Sequence, residues 1–234
     1  MTKILALDTS TDACSVALSI DGEVTEDFRI IPRQHTKQLL PMVEQMLAGA
    51  ELKVSQLDAI AFGRGPGSFA GIRIATGVAQ GLAFAAELPV IPVSTLRAIA
   101  LKAAREYQVE RVVSTLDARM NELYCCAYEM QSGLPVALID EQVSAPGDIV
   151  LPEGDWFAAG KGWVYLDDMS DAVKQAVAAN EPVIDVYPAA AMMAELAVAQ
   201  FAAGEAVEPE QALPVYLRDE VAWKKKDEQK KKGQ

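Results

Sequence analysis

The sequence predicts an α/β fold built from two related halves, and three observations support this. Residues 3–10, 13–20 and 23–30 form three strand-like runs, and Asp21-Gly22 between the last two is a two-residue hairpin signal. Helical and strand-like segments then alternate. A second pair of adjacent strand-like runs, 111–117 and 122–130, opens the other half, and two such halves indicate a duplicated α/β unit. The repeat is topological, with no residue-level repeat. A boundary near 104–110 divides the chain into lobes at 1–106 and 107–222, followed by a basic tail at 223–234.

Each element has its own signal. After the third strand, apolar spacing predicts a helix over 34–50. Its Leu39, Leu40, Met42, Val43, Met46, Leu47 and Ala50 span an arc of about 160°, wider than the roughly 100° stripe of an ordinary surface helix. Pro41 falls on the far side, where its missing N–H costs less. A strand at 59–62, a glycine-rich loop, a helix at 72–86, a strand at 90–93 and a helix from Thr95, which Ser94 can cap, complete the first half. The helix at 72–86 is the more extreme. Its polar residues Arg73, Thr76, Gln80 and Glu87 fall in a sector of about 60°. Gly77, Gly81 and Phe84 share one side, and Ile74, Val78 and Leu82 another. A helix apolar nearly all round is buried on most sides, and in so small a lobe this predicts a cover supplied by a partner's helices. The second half continues with a strand at 136–143 and helices at 163–179 and 188–203.

Composition narrows the class. The 234 residues are 51% hydrophobic, which fits a globular protein and not a disordered one. The apolar run Ile4-Leu5-Ala6-Leu7 is too short for a secretory leader. The uncharged run at 74–86 is shorter than the roughly 18 residues of a membrane span. Cys14, Cys125 and Cys126 are an odd set with two adjacent members, a poor disulfide framework, so reduced thiols and a cytoplasmic location are expected. Formal charge is −12, although residues 223–234 carry six lysines against Asp227 and Glu228. An acidic body is a poor nucleic-acid surface, and the tail reads as a solvated segment that touches RNA at most incidentally.

The segment Gly63-Arg64-Gly65-Pro66-Gly67-Ser68-Phe69-Ala70-Gly71-Ile72-Arg73 resembles a nucleotide loop yet matches none of the usual ones. No Lys follows the glycines as a Walker A loop requires, and the spacing is wrong for a dinucleotide fingerprint. Pro66 stands where a nucleophile elbow needs Gly. A structural role remains for Gly65, Pro66, Gly67, Ser68, Phe69, Gly71 and Arg73: a tight turn and close packing. His35 is the only histidine, and Leu39 occupies the place of a second ligand four residues on, so no metal site is expected. Asp8-Thr9 and Asp117-Ala118-Arg119 sit at equivalent hairpin tips, where two acids facing across a cleft could hold Mg²⁺ and phosphates. The second hairpin lacks glycines that would bring backbone N–H groups onto phosphate, so the cleft reads as degenerate.

Taken together, Ile4-Leu5-Ala6-Leu7-Asp8-Thr9-Ser10-Thr11, His35-Thr36-Lys37-Gln38-Leu39-Leu40-Pro41, the Gly65–Arg73 loop, Asp117-Ala118-Arg119-Met120-Asn121-Glu122 and Pro214-Val215-Tyr216-Leu217-Arg218 resemble the bacterial TsaB (YeaZ) family. The resemblance implies the actin/sugar-kinase/Hsp70-like (ASKHA) fold, with two related lobes of mixed sheets flanked by helices. It implies a non-catalytic subunit in forming N6-threonylcarbamoyladenosine on tRNA, beside the catalytic paralogue TsaD and the ATPase TsaE. Without TsaD the same face is expected to self-associate. No cofactor is implied beyond weak, vestigial nucleotide binding. The family's heterodimer uses the two early helices, which points to His35, Leu39, Met42, Val43, Met46, Ile74, Gly77, Val78, Gly81 and Phe84 as partner-binding residues. The alternative is an ATP-dependent small-molecule kinase or ATPase of the same superfamily.

Overall fold

The computed structural model describes residues 2–218; the tail expected at 223–234 lies outside the described residues. The first elements in chain order are β1 (Lys3–Asp8), β2 (Ala13–Ile20), β3 (Glu23–Ile30), α1 (His35–Gly49), β4 (Ala59–Gly65), α2 (Phe69–Ala86), β5 (Val90–Ser94) and α3 (Thr95–Tyr107). There follow β6 (Arg111–Arg119), β7 (Glu122–Gln131), β8 (Leu134–Ala137), β9 (Gln142–Ser144), β10 (Phe157–Ala159), α4 (Asp171–Ala176) and α5 (Ala190–Ala202).

The first sheet has the order β3-β2-β1-β4-β5. β1 pairs antiparallel with β2 and parallel with β4. The β2–β3 turn has Asp21 at φ 51 and Gly22 at φ 89, the left-handed pair that a type I′ hairpin needs. Alternation of side chains along each strand builds two cores. Leu5, Leu7, Val16, Leu18, Ile60 and Phe62 meet α1 and α2 on one face. Ile4, Ala6, Ala17, Ala59, Ala61, Ile91 and Val93 meet α5 on the other. Both faces being covered, the strands read as nearly continuous apolar runs.

The second sheet has the order β10-β6-β7-β8, with β9 also on β7. Like β1, β6 has an antiparallel hairpin partner and a parallel neighbour. Gly160 and Gly162 follow β10 much as Gly63 and Gly65 end β4, and each pair packs tightly: a Cβ on Gly160 would lie 2.2 Å from the Thr115 carbonyl oxygen. α3 wedges between the sheets, turning Ala98 and Leu101 to the first and Leu96, Ile99, Ala100 and Ala103 to the second. Cys125 and Cys126 point to opposite faces, and burial pushes both thiols up to about 12.

Several expectations are corrected. The strand expected at 136–143 is two strands, because the chain steps from the far half of β7, where β8 pairs with residues 128–131, to the near half, where β9 pairs with 123–125. The helix expected at 163–179 is a 3₁₀ run, Lys161–Asp168, followed by the short α4, which restarts because the Ser170 hydroxyl accepts from the Val173 N–H at 3.4 Å. β10 went unpredicted. α2 begins three residues earlier than expected, with Ser68 as N-cap, its hydroxyl accepting from the Gly71 N–H at 3.4 Å.

Residues 190–202 fall in the second half of the sequence, yet α5 lies on the first sheet. Its own N-cap position holds Ala189, which has no side-chain acceptor. The cap comes from that sheet instead. Ser15 Oγ accepts from the Ala190 N–H at 2.7 Å, and Glu26 Oε1 accepts from the Ala191 N–H at 2.9 Å and from the Ser15 hydroxyl at 2.7 Å. Two orphan helix donors and the positive end of the helix dipole are satisfied together.

Candidate functional site

Two features on the first lobe meet at the start of α2: an uncovered helix face and a cleft between the lobes. Gly71, Ile72, Ala75, Thr76, Ala79 and Ala83 bury one side of α2 against the sheet. The polar residues nearest that side are engaged within the chain. Thr76 returns its hydroxyl to the Ile72 carbonyl at 2.7 Å. Gln80 donates to the carbonyls of Ala212 at 2.8 Å and Pro209 at 3.2 Å. Arg73 donates to the Tyr216 hydroxyl at 2.6 Å and stacks 3.6 Å from the Phe69 ring centre.

What stays bare is the apolar stripe. Ala70, Gly77, Gly81 and Phe84 are exposed, Phe84 at 69%, and Ile74 and Val78 beside them are half-buried. A Cβ on Gly77 or Gly81 would meet no atom within 4 Å. Thr76 and Gln80 thus turn inward and Arg73 and Glu87 remain exposed, while the apolar Gly77, Gly81 and Phe84 face outward, where a surface helix ordinarily places polar residues. Only 33% of it is buried, and by length and composition alone it could cross a membrane, a length the run at 74–86 lacks without the first turn. A contiguous apolar face of this kind marks an interaction site.

The sequence-predicted partner residues divide accordingly. Gly77, Gly81 and Phe84 lie on the open face, with Ile74 and Val78 at its edge, and Met46 is half-buried. His35, Leu39, Met42 and Val43 are corrected: all four are buried within this chain. Leu39, Met42 and Val43 pack on the first sheet, and His35 Nε2 sits 3.2 Å from the Ala13 carbonyl oxygen. The wide apolar arc of α1 is spent on its own sheet, and α1 leaves Leu40 at 45% exposure.

The cleft has a volume of about 1060 Å³ and is lined by the β1–β2 turn, the start of α2, the end of β6, Lys161, Val215, Tyr216 and Arg218. The glycine loop shapes it by close approach. A Cβ on Gly71 would stand 2.0 Å from the Thr9 carbonyl oxygen, and one on Gly67 2.5 Å from that of Ser10. The Ser68 N–H is already taken by the Ser10 carbonyl at 2.7 Å, and the Thr9 hydroxyl by the Gly71 carbonyl at 2.6 Å. The loop thus binds its own hairpin through one donor and one acceptor, and the Ser68 N–H is not free for a phosphate.

The two acids do not face each other as expected. Asp8 is fully buried. Its Oδ1 accepts from the Ser10 N–H at 3.0 Å and hydroxyl at 2.8 Å, and Oδ2 has no partner. Gly63 makes room for that oxygen: a Cβ there would lie 1.9 Å from it. Burial raises the Asp8 pKa to about 7, the Ser10 bonds opposing the shift. Asp117 does line the cleft, engaged by the Arg119 N–H at 2.8 Å and the Tyr165 hydroxyl at 3.2 Å. In the β6–β7 turn Arg119, Met120 and Asn121 all have left-handed backbones, φ 65, 59 and 59, and Met120 is 82% exposed. Among the described residues no group of three or more His, Cys, Asp or Glu side chains is arranged to hold a metal ion.

Sequence reasoning missed the contacts of the C-terminal segment. The Val215 N–H bonds the Arg64 carbonyl at 2.8 Å, Tyr216 joins Arg73, and Arg218 pairs with Glu122 and reaches the Arg119 carbonyl at 3.4 Å. The Pro214–Arg218 run carried the family resemblance, but no periodicity in it says where it packs.

The family model described as TsaD, tRNA N6-adenosine threonylcarbamoyltransferase, matches residues 29–226. The tRNA threonylcarbamoyladenosine biosynthesis protein TsaB of Escherichia coli (strain K12) is 43% identical over 229 residues, 95% of this chain and 97% of that one. The protein of the same name from Haemophilus influenzae is 42% identical over 233 residues, 95% of this chain and 96% of its own. The solved structure of YeaZ from Pseudomonas aeruginosa superposes with a TM-score of 0.86 at 46% identity, covering 93% of this chain and all of that one. By sequence along nearly its whole length and by its two-lobed fold, the chain belongs to the TsaB (YeaZ) family.

Proposed function

We propose that this chain is a non-catalytic subunit for threonylcarbamoyladenosine formation on tRNA, docking through the open face of α2 onto a TsaD-type transferase subunit. The observation that carries the reading is the bare apolar stripe of α2, with Gly77, Gly81 and Phe84 exposed on one face. Open glycines let a partner helix approach closely, and Phe84 is an aromatic anchor of the kind that dominates interface energy. The match to the transferase family model and the pathway name of the curated relatives support a TsaD-type partner. TsaE joins the assembly as the ATPase, and the complex works in the cytoplasm. In the absence of the transferase subunit the face pairs with a second copy. Contact with tRNA is indirect or through the basic tail.

The cleft supports the non-catalytic half of the reading. A buried, hydrogen-bonded Asp8 cannot reach a metal ion in the cleft, and the loop's Ser68 N–H is spent on the Ser10 carbonyl. A kinase or ATPase would instead need tight Mg-ATP binding by the isolated protein, lost in Asp8→Asn. The test is to express the chain with a TsaD homologue. The reading expects a stoichiometric complex, and transferase activity that depends on it. An isolated chain that binds Mg-ATP tightly and turns it over would replace the reading with the enzyme one.

A further inference from the structure

We infer that Arg64 and Glu141 are positioning residues: their ion pair fixes the angle between the lobes and so sets the docking geometry of α2. The inference rests on the docking role proposed above. Arg64 sits between Gly63 and Gly65, where the β4–β5 register shifts, immediately before the loop that starts α2. Its guanidinium crosses to the second lobe and meets Glu141 Oε2 at 3.0 Å. Glu141 lies in the step between β8 and β9, with its side chain only 13% exposed.

The other carboxylate oxygen completes the joint. Glu141 Oε1 accepts from Ser94, the N-cap of α3, and from the Tyr128 hydroxyl at 3.3 Å. One side chain therefore ties β4, the start of the wedge helix and the second sheet. A carboxylate with donors on both oxygens is a stiff joint, and a half-buried guanidinium left without it is poorly placed. The Arg64 backbone is held as well, its carbonyl accepting from Val215, whose own carbonyl oxygen packs over Gly65. Residues 215–218 then run on to the β6–β7 turn through Arg218. Two of the ties between the lobes thus pass through residue 64, and a further, exposed ion pair, Lys161 with Asp12 at 3.7 Å, spans the cleft beside them. Loosening Glu141 frees the lobe carrying the β6–β7 turn to rotate relative to α2.

The experiment uses the full chain with its three buried native cysteines left in place. Spin labels at Glu23→Cys and Ala178→Cys, exposed on opposite lobes, report the interlobe distance by electron–electron double resonance. Glu141→Gln, Arg64→Gln and the exchanged pair Arg64→Glu with Glu141→Arg are each compared with the parent. The expected result is a broadened distance distribution and an affinity for a TsaD homologue reduced tenfold or more in each single variant, with circular dichroism unchanged. The exchanged pair recovers part of both. If a single variant is too unstable to purify, the exchanged pair alone decides by whether its distance distribution is narrow. Unchanged distance and affinity in a folded Glu141→Gln protein overturn the inference. A parent chain that binds no TsaD homologue overturns the docking role instead, and the distance measurement still judges the clasp.

Discussion

Replacing Gly77 and Gly81 together by alanine should stabilise the isolated chain and weaken its complex. Both glycines lie inside α2, and a Cβ at either meets nothing within 4 Å. The substitution therefore brings no clash in the isolated chain and recovers helix propensity, about 0.8–1.0 kcal/mol per site and about 2 kcal/mol for the pair. For a chain of this size that corresponds to a melting temperature higher by about 4–8 °C. In the complex the same methyl groups stand where the partner's backbone is to approach, and overpacking costs about 1–3 kcal/mol per site, a tenfold or greater loss of affinity. Thermal and urea denaturation, at a concentration where light scattering reports a monomer, give the first number. Titration against a TsaD homologue gives the second. A stabilised double variant that binds as tightly as the parent refutes the close-approach role of the glycines. Absence of stabilisation refutes the claim that the face is open in the isolated chain.

Other perturbations test the site's interior. Asp8 is raised from 3.8 to about 7 by burial, so the folded chain keeps a proton that the unfolded chain loses. Its contribution is intact below about pH 4 and disappears as pH rises through about 7. Asp8→Asn, which keeps the acceptor for Ser10, should match the parent near pH 4 and exceed it by about 2–4 kcal/mol at pH 7.5 in urea denaturation; equal stability at both pH values would contradict the buried, protonated carboxyl. Gly71→Ala places a Cβ 2.0 Å from the Thr9 carbonyl oxygen, and its fold should be lost or weakened by several kcal/mol, read as a collapsed melting transition. Glu26→Ala removes the acceptor for Ala191 N–H and the Ser15 hydroxyl. It should cost about 1–2 kcal/mol, with faster hydrogen exchange at the start of α5.

Much of the architecture was legible because its signals are local. Asp21-Gly22 announced the β2–β3 hairpin, nearly continuous apolar runs gave β1, β2 and β4, and Ser94 announced α3. The failures share a physical reason: they depend on what lies opposite in space. The apolar arc of α1 is the same whether Leu39, Met42 and Val43 face their own sheet or a partner, and only the fold shows that the sheet takes them. β10 has three residues and exists because β6 offers it an edge. Asp8 at a hairpin tip looks available for a metal ion, yet it is fully buried, with its Oδ2 in the space that Gly63, distant in sequence, leaves open. The clasp at Glu141 has no sequence signal, since the adjacent acids Asp140 and Glu141 in a run expected as one strand read as surface residues.

The most direct test of the account is the mass of the complex formed with a TsaD homologue, measured by size-exclusion chromatography with light scattering, for the parent chain and for Phe84→Asp. Phe84 is largely exposed in the isolated chain, so the substitution leaves the fold intact while placing a charge at the proposed contact. The account predicts a one-to-one complex for the parent and separate subunits for Phe84→Asp. A Phe84→Asp chain that still forms the complex at undiminished yield would contradict docking through α2.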